Sequence, residues 1–128
     1  MTQKYITLGS NDLERSYRYY DAVMETLGAK VAHDYEGFTR CYQFPDGFCV
    51  WVGKPQNGES ANHGNGHTAG FDVASAEIVD AAHKVALDNG GSDEGAPGPR
   101  PLYGPDFYGA YARDPDGNKM SFVTQITE

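Results

Sequence analysis

The side chains of this chain with chemistry to offer are four histidines, two cysteines and a set of aromatic, hydroxyl and guanidinium groups. Imidazoles can ligate a metal, but a site needs about three protein ligands brought together. His63 and His67 share one Gly- and Asn-rich segment, His33 lies in an extended stretch and His83 lies on a predicted helix. They would converge only if the loops folded inward. Cys41 and Cys49 stand diagonally across a predicted hairpin. A reactive thiol needs exposure and a positive neighbour; none shares their face of the hairpin, so both read as packing residues. Arg100 and Tyr103 fall in a Pro- and Gly-rich segment, where Arg100 can pair with a ligand's carboxylate or phosphate, or hold its own loop by an ion pair. No Ser-His-Asp order, phosphate-binding glycine loop or Cys-x-x-Cys pair is present.

The elements that must position these groups follow from periodicity. Tyr5 to Gly9 reads as a strand. Asn11 or Asp12 then caps a helix, and Glu14, three residues after Asn11, would complete a capping box. Leu13, Tyr17, Tyr20, Met24 and Leu27 form one apolar stripe at helical spacing, and Gly28 ends it. Ala29 to Glu36 is a further strand. Phe38 to Phe44 and Phe48 to Gly53 form a hairpin around Pro45-Asp46-Gly47. Tyr42, Phe44, Phe48, Val50 and Val52 share one face of it, suited to a helix; Cys41, Gln43, Cys49 and Trp51 share the other.

After a Gly-, Asn-, Ser- and Pro-rich linker the pattern restarts. Thr68 to Val73 is a strand, Ser75 caps a second helix, and Ile78, Val79, Ala82, Val85 and Ala86 repeat at helical spacing. Gly90-Gly91 stops it. A short extended piece and a loop from Gly95 to Pro105 lead to a last hairpin, Tyr108 to Arg113 and Lys119 to Gln125, turning at Pro115-Asp116-Gly117. Caps at Asp12 and Ser75, stops at Gly28 and Gly90, and Pro-Asp-Gly at 45–47 and 115–117 mark a diverged duplication. Each half reads strand, helix, three strands. The predicted organisation is one domain with module one over about 4–54, a linker over 55–66 and module two over 67–126.

Composition closes off several functions. The 128 residues carry 18 acids against 10 bases, a net charge of −8. That excludes a phosphate-binding nucleic-acid surface and an anionic membrane surface as partners. No apolar run approaches a membrane span, and Met1 to Tyr5 lacks the apolar stretch of a signal peptide. With only two cysteines, a reducing, cytoplasmic setting is the expectation.

Tyr-Ile-Thr-Leu-Gly-Ser-Asn-Asp-Leu-Glu-Arg-Ser (5–16) with Tyr20-Asp21-Ala22-Val23 resembles the opening of the vicinal oxygen chelate superfamily, which includes glyoxalase I, extradiol dioxygenases and bleomycin-resistance proteins. Asn65-Gly66-His67 resembles the entry to that family's fifth strand. Residues 91–101 resemble the segment after its second helix, and residues 108–119 its final hairpin. The resemblance implies an α+β fold of two tandem βαβββ modules, forming a curved mixed sheet around one cavity. It also implies a homodimer, since related sheets align between subunits.

In metal-dependent relatives the ligands are a His early in strand one, a His early in strand five and a Glu in the last strand, with a module-one counterpart of that Glu in some. Those positions here are Tyr5, Thr68, Ser121 and Trp51, none a usual divalent-metal ligand. His67 is one residue from the expected place and would face the cavity only if the strand register shifted. No cofactor is therefore expected; a divalent metal would need that shift. The same faces put Tyr5, Thr7, Cys41, Gln43, Cys49, Trp51, Thr68, Tyr111 and Ser121 on the cavity wall, with Arg100 and Tyr103 bordering it. Aromatic walls with a few hydroxyls suit a small organic ligand. The expected ligand-binding residues are Tyr5, Thr7, Cys41, Trp51, Thr68, Arg100, Tyr103, Tyr111 and Ser121. Small-molecule binding without metal catalysis is the first reading; the alternatives are a lyase, isomerase or dioxygenase of the family, which resembles lactoylglutathione lyase, and a dimeric structural protein with a filled cavity. Whether the chain is an enzyme stays open at this point.

Overall fold

Each half of the chain lays down a strand, a helix and three more strands in the computed structural model, which describes residues 4–126. The first half gives β1 (Tyr5–Gly9), α1 (Leu13–Leu27), β2 (Lys30–Tyr35), β3 (Thr39–Gln43) and β4 (Cys49–Gly53). The second gives β5 (Ala69–Asp72), α2 (Ala76–Asp88), β6 (Ser92–Pro99), β7 (Phe107–Arg113) and β8 (Lys119–Gln125). The sheets are ordered β1-β4-β3-β2 and β5-β8-β7-β6. The first and last strands of each half pair in parallel and the other pairs are antiparallel. The fold is α+β, two tandem βαβββ modules, as the internal repeat predicts.

Local chemistry sets the helix ends. The Asp12 side chain accepts from the Arg15 amide and caps α1, a bond worth about 1 kcal/mol. This places Arg15, not Glu14, three residues past the cap, so the predicted capping box does not form. Asn11 instead binds the linker, accepting from the Ala61 amide and donating to the Ala61 carbonyl. Gly28 closes α1 in the left-handed conformation, at φ 99°. Ser75 caps α2 by accepting from the Ile78 amide. The buried face of α1 is centred on Ser16, Tyr19, Tyr20, Val23 and Met24, wider than the predicted stripe, of which Leu13, Tyr17 and Leu27 lie at the half-buried margins. The segment read as a loop from Gly95 is strand as far as Pro99. Its pairing with β7 shifts register twice, at Gly95 and before Gly98, and Pro97 and Pro99 offer no N–H to a ladder.

Both helices cover the same side of the sheets. Tyr42, Val50 and Val52 from module one and Ala110, Ala112, Met120 and Phe122 from module two face them in one buried cluster. Phe44 stacks on Phe71, and Phe71 on Phe122, carrying that core across the module boundary. Alanines at 82, 86, 110 and 112 let α2 lie close on β7.

The turn Asp114-Pro-Asp-Gly-Asn118 ties the modules together. Buried Asp114 takes the Tyr20 hydroxyl of α1, the Asn118 side-chain amide and the backbone amides of Asp116 and Asn118. Asp116 accepts from the Asn11 amide, Ser16 Oγ and Arg15, and Asn118 Nδ2 donates to the Gly9 carbonyl at the end of β1. Among the described residues the first Pro-Asp-Gly turn makes no such hydrogen bonds to the other module; Asp46 accepts from the Phe48 amide. Among the described residues no helix is long and apolar enough to cross a membrane.

Candidate functional site

The sheet face away from the helices carries the site. Pairing register lines up its side chains in rows. Thr7, Trp51, Cys41 and His33 form one row across β1, β4, β3 and β2; Gly9, Gly53, Thr39 and Tyr35 form the next. A register shift between Val31 and His33 in β2 turns His33 and Tyr35 onto this face. The rings of His33, Tyr35 and Trp51 lie nearly parallel, with centroids 5.8 to 6.5 Å apart.

A cleft of about 750 Å³ opens over module one, walled by Tyr5, Thr7, Phe38, Thr39 and Trp51 and roofed by the linker from Lys54 to Asn62. A second, also about 750 Å³, opens over module two, with Thr68, Glu94, Arg100, Tyr103, Tyr111, Lys119 and Ser121 on its walls. A smaller one, about 260 Å³, lies beside both: it shares Thr7, Gly9 and Asn62 with the first and Lys119 with the second.

Eight of the nine expected ligand-binding residues line these clefts: Tyr5, Thr7 and Trp51 the first, and Thr68, Arg100, Tyr103, Tyr111 and Ser121 the second. Tyr5 and Tyr103 are well exposed, at 64% and 61%. Cys41 is the correction. It lies on the expected face but has 0% exposure and lines neither cleft. Burial and the neighbouring Cys49 push its thiol up to about 12, so it is a neutral packing group. Gln43 is half-buried, with a long bond from its amide to the Gly47 carbonyl.

The cations divide by partner. Arg40 lies on the helix side, stacked on Tyr17 and paired with Asp21 and Asp34. Arg113 pairs with Glu94 and donates to the Gly117 carbonyl. Arg100 gives its N–H groups to the carbonyls of Ala96, Gly98 and Pro99, which fixes its loop by backbone hydrogen bonds and not by an ion pair. Asp93 holds the buried His83 and accepts from the Gly95 amide.

The family's metal positions hold Tyr5, Trp51, Thr68 and Ser121, a set of neutral hydroxyls and an indole that does not fit a divalent ion. The histidines are dispersed: His33 in the ring array, His83 on Asp93, and His63 and His67 in the smallest of the three clefts. Among the described residues no group of three or more His, Cys, Asp or Glu side chains is placed to hold a metal ion.

Sequence reasoning missed His33, Tyr35 and Phe38 as neighbours of Trp51, and Lys119 as a cleft residue. The signal for the first two is the His-x-Tyr spacing on the strand beside the hairpin, which a bulge was needed to orient. Lys119 shares the parity of Ser121 on β8.

The glyoxalase/bleomycin resistance protein/dioxygenase superfamily model matches residues 2–122. A glyoxalase/bleomycin resistance protein from Albidiferax ferrireducens T118 superposes with a TM-score of 0.88 at 38% identity, over 95% of this chain and 98% of that one. A glyoxalase-related enzyme from Fulvimarina pelagi gives 0.74 at 21% identity, over 98% and 88%. A glyoxalase/bleomycin resistance protein/dioxygenase family enzyme from Burkholderia phytofirmans PsJN gives 0.73 at 19%, over 96% and 98%. No protein of curated function matches the chain.

Proposed function

The chain belongs to the glyoxalase/bleomycin resistance protein/dioxygenase superfamily, and from that premise we propose that it binds a small aromatic molecule on the uncovered face of its sheets, without a resident catalytic metal. The carrying observation is the array of His33, Tyr35 and Trp51, three rings nearly parallel beside an open cleft. Flat rings held by a sheet offer contact area at little conformational cost, and a planar ligand stacks on them offset. The hydroxyls of Tyr5 and Thr7, in the same cleft, would orient it. Open clefts of this size favour binding over the reading of a filled interior. The lyase, isomerase and dioxygenase readings call for a metal centre, and the donor set at the family's positions does not suit one. The proposal includes a cytoplasmic setting and a homodimer; Val31, exposed on the edge strand β2, is apolar surface suited to a partner.

Trp51 is the only tryptophan, so its fluorescence reports on the module-one cleft directly. Titration with a panel of small aromatic compounds should quench or shift its emission and raise Tm. Trp51→Ala should weaken binding of the same compounds, read by Tm, while the chain stays folded. Unchanged affinity in that variant, or a stoichiometric metal retained after chelator washing, would overturn the reading.

A further inference from the structure

Two cations line the module-two cleft without a carboxylate partner among the described residues. Lys119 Nζ lies 5.4 Å from the centroid of the Tyr111 ring and the Arg100 guanidinium carbon 5.7 Å from it. Both distances are within cation–π range. Neither side chain pairs with an acid among the described residues, although the chain carries 18 of them. Glu94, the acid in this cleft, is engaged by Arg113.

The surroundings make room for the charges. A Cβ at Gly95 would come within 3.3 Å of one Arg100 nitrogen, and a Cβ at Gly98 within 3.3 Å of another. The two glycines thus let the guanidinium lie against β6. A Cβ at Gly70 would meet Ser121 Oγ at 3.3 Å, so the bare glycine leaves that hydroxyl open to the cleft. Thr68 adds a second hydroxyl on the same wall.

The geometry points to an oxyanion-binding site in this cleft, held by Lys119 and the hydroxyls of Thr68 and Ser121, with Arg100 adding charge from the β6 side of Tyr111. A single carboxylate or phosphate-type group fits it. Lys119 supplies a free ammonium with three donors, whereas the Arg100 fork is largely committed to its loop and contributes mainly charge. This inference rests on the uncovered face being the ligand site and adds the ligand's charge: an anionic group held over module two.

Benzoate, its neutral counterpart benzamide, and inorganic phosphate separate the two ideas on the intact chain. Benzoate should bind about tenfold more tightly than benzamide, and added salt should weaken only benzoate. In ¹H–¹⁵N spectra benzoate and phosphate should both move the amides of Thr68, Lys119 and Ser121. Lys119→Met keeps the stem on Tyr111; it should lose about tenfold in benzoate affinity, lose the salt dependence and leave benzamide unaffected. Lys119→Gln replaces it if the Met variant unfolds. Equal binding of benzoate and benzamide, or benzoate binding that is indifferent to Lys119, overturns the anion site and leaves the aromatic reading standing. Phosphate shifts at those amides with no effect of benzoate or benzamide on Trp51 emission sink the aromatic reading and keep the anion site. No response to any probe at about 10 mM, where a millimolar site would be filled, removes both.

Discussion

His33 and Trp51 hold their rings 4° from parallel with centroids 5.8 Å apart, although a whole strand runs between their own. Strands spaced about 4.8 Å apart put the two backbones roughly 10 Å from each other. The rings therefore lean together above β3. The residue beneath them, in register with both, is Cys41. The array that offers a ligand its flat surface is thus also the cover of a buried thiol, and each can report on the other.

Native Cys41 should resist alkylation at mildly alkaline pH, because it is buried and its thiol is neutral there. Trp51→Ala removes half of the cover. Mass spectrometry of iodoacetamide-treated protein should show Cys41 reacting at least about tenfold faster in that variant, since only a local opening is now needed to expose it. Modification of native Cys41 at the rate of a free thiol would contradict the packing described here.

Asp114 gives a pH prediction. Burial raises its carboxyl above the ordinary value, and hydrogen bonds from Tyr20 and Asn118 oppose the rise. With the folded value above the unfolded one, the native state binds more protons. Stability from this group is therefore fully present below the ordinary carboxylate value and lost as pH climbs through the raised one. Tyr20→Phe takes a donor from the charged form, at a cost of about 1–3 kcal/mol at neutral pH. The penalty should shrink on acidification, once Asp114 is protonated. Urea midpoints across the acid range decide this, and a penalty constant with pH would show that Tyr20 acts by packing alone.

The fold was legible because its signals are local and repeated. Caps, stops and the paired Pro-Asp-Gly turns occur at matching places in both halves, and two-residue alternation separated Tyr42, Val50 and Val52 from Cys41 and Trp51. The site was less legible because its parts meet across strands. The facing of His33 and Tyr35 depends on the bulge after Val31, and a bulge has no reliable composition. Cys41 had the right parity for a wall residue, but parity does not reveal that two large rings close over it. Glu14 failed as a capping partner because Asn11, which would have made the box, bonds to Ala61 fifty residues away. Lys119 carried no signal of its own as a cleft residue, because its ring partner Tyr111 lies on the neighbouring strand, two residues from the position paired with it.

Two glycines should respond to the same substitution for different reasons. Gly28 sits at φ 99° with open space where a Cβ would go, so Gly28→Ala costs only the left-handed backbone strain, about 1–2 kcal/mol. Gly53 has no such conformation, but its Cβ would come within 2.4 Å of the Phe38 carbonyl oxygen and 2.5 Å of Thr39 Cβ. That carbonyl is pinned by the Lys54 amide and Thr39 by its bond to the Val52 carbonyl, so neither can withdraw without breaking the β3–β4 edge. Gly53→Ala should cost about 1–3 kcal/mol or more. Because Phe38, Thr39 and Gly53 all line the module-one cleft, it should also shift Trp51 emission, which Gly28→Ala should leave unchanged. Equilibrium unfolding followed by that emission reads both effects at once. A Gly53→Ala protein with native stability and native fluorescence would mean that β3 and β4 are not held as closely as this cleft requires.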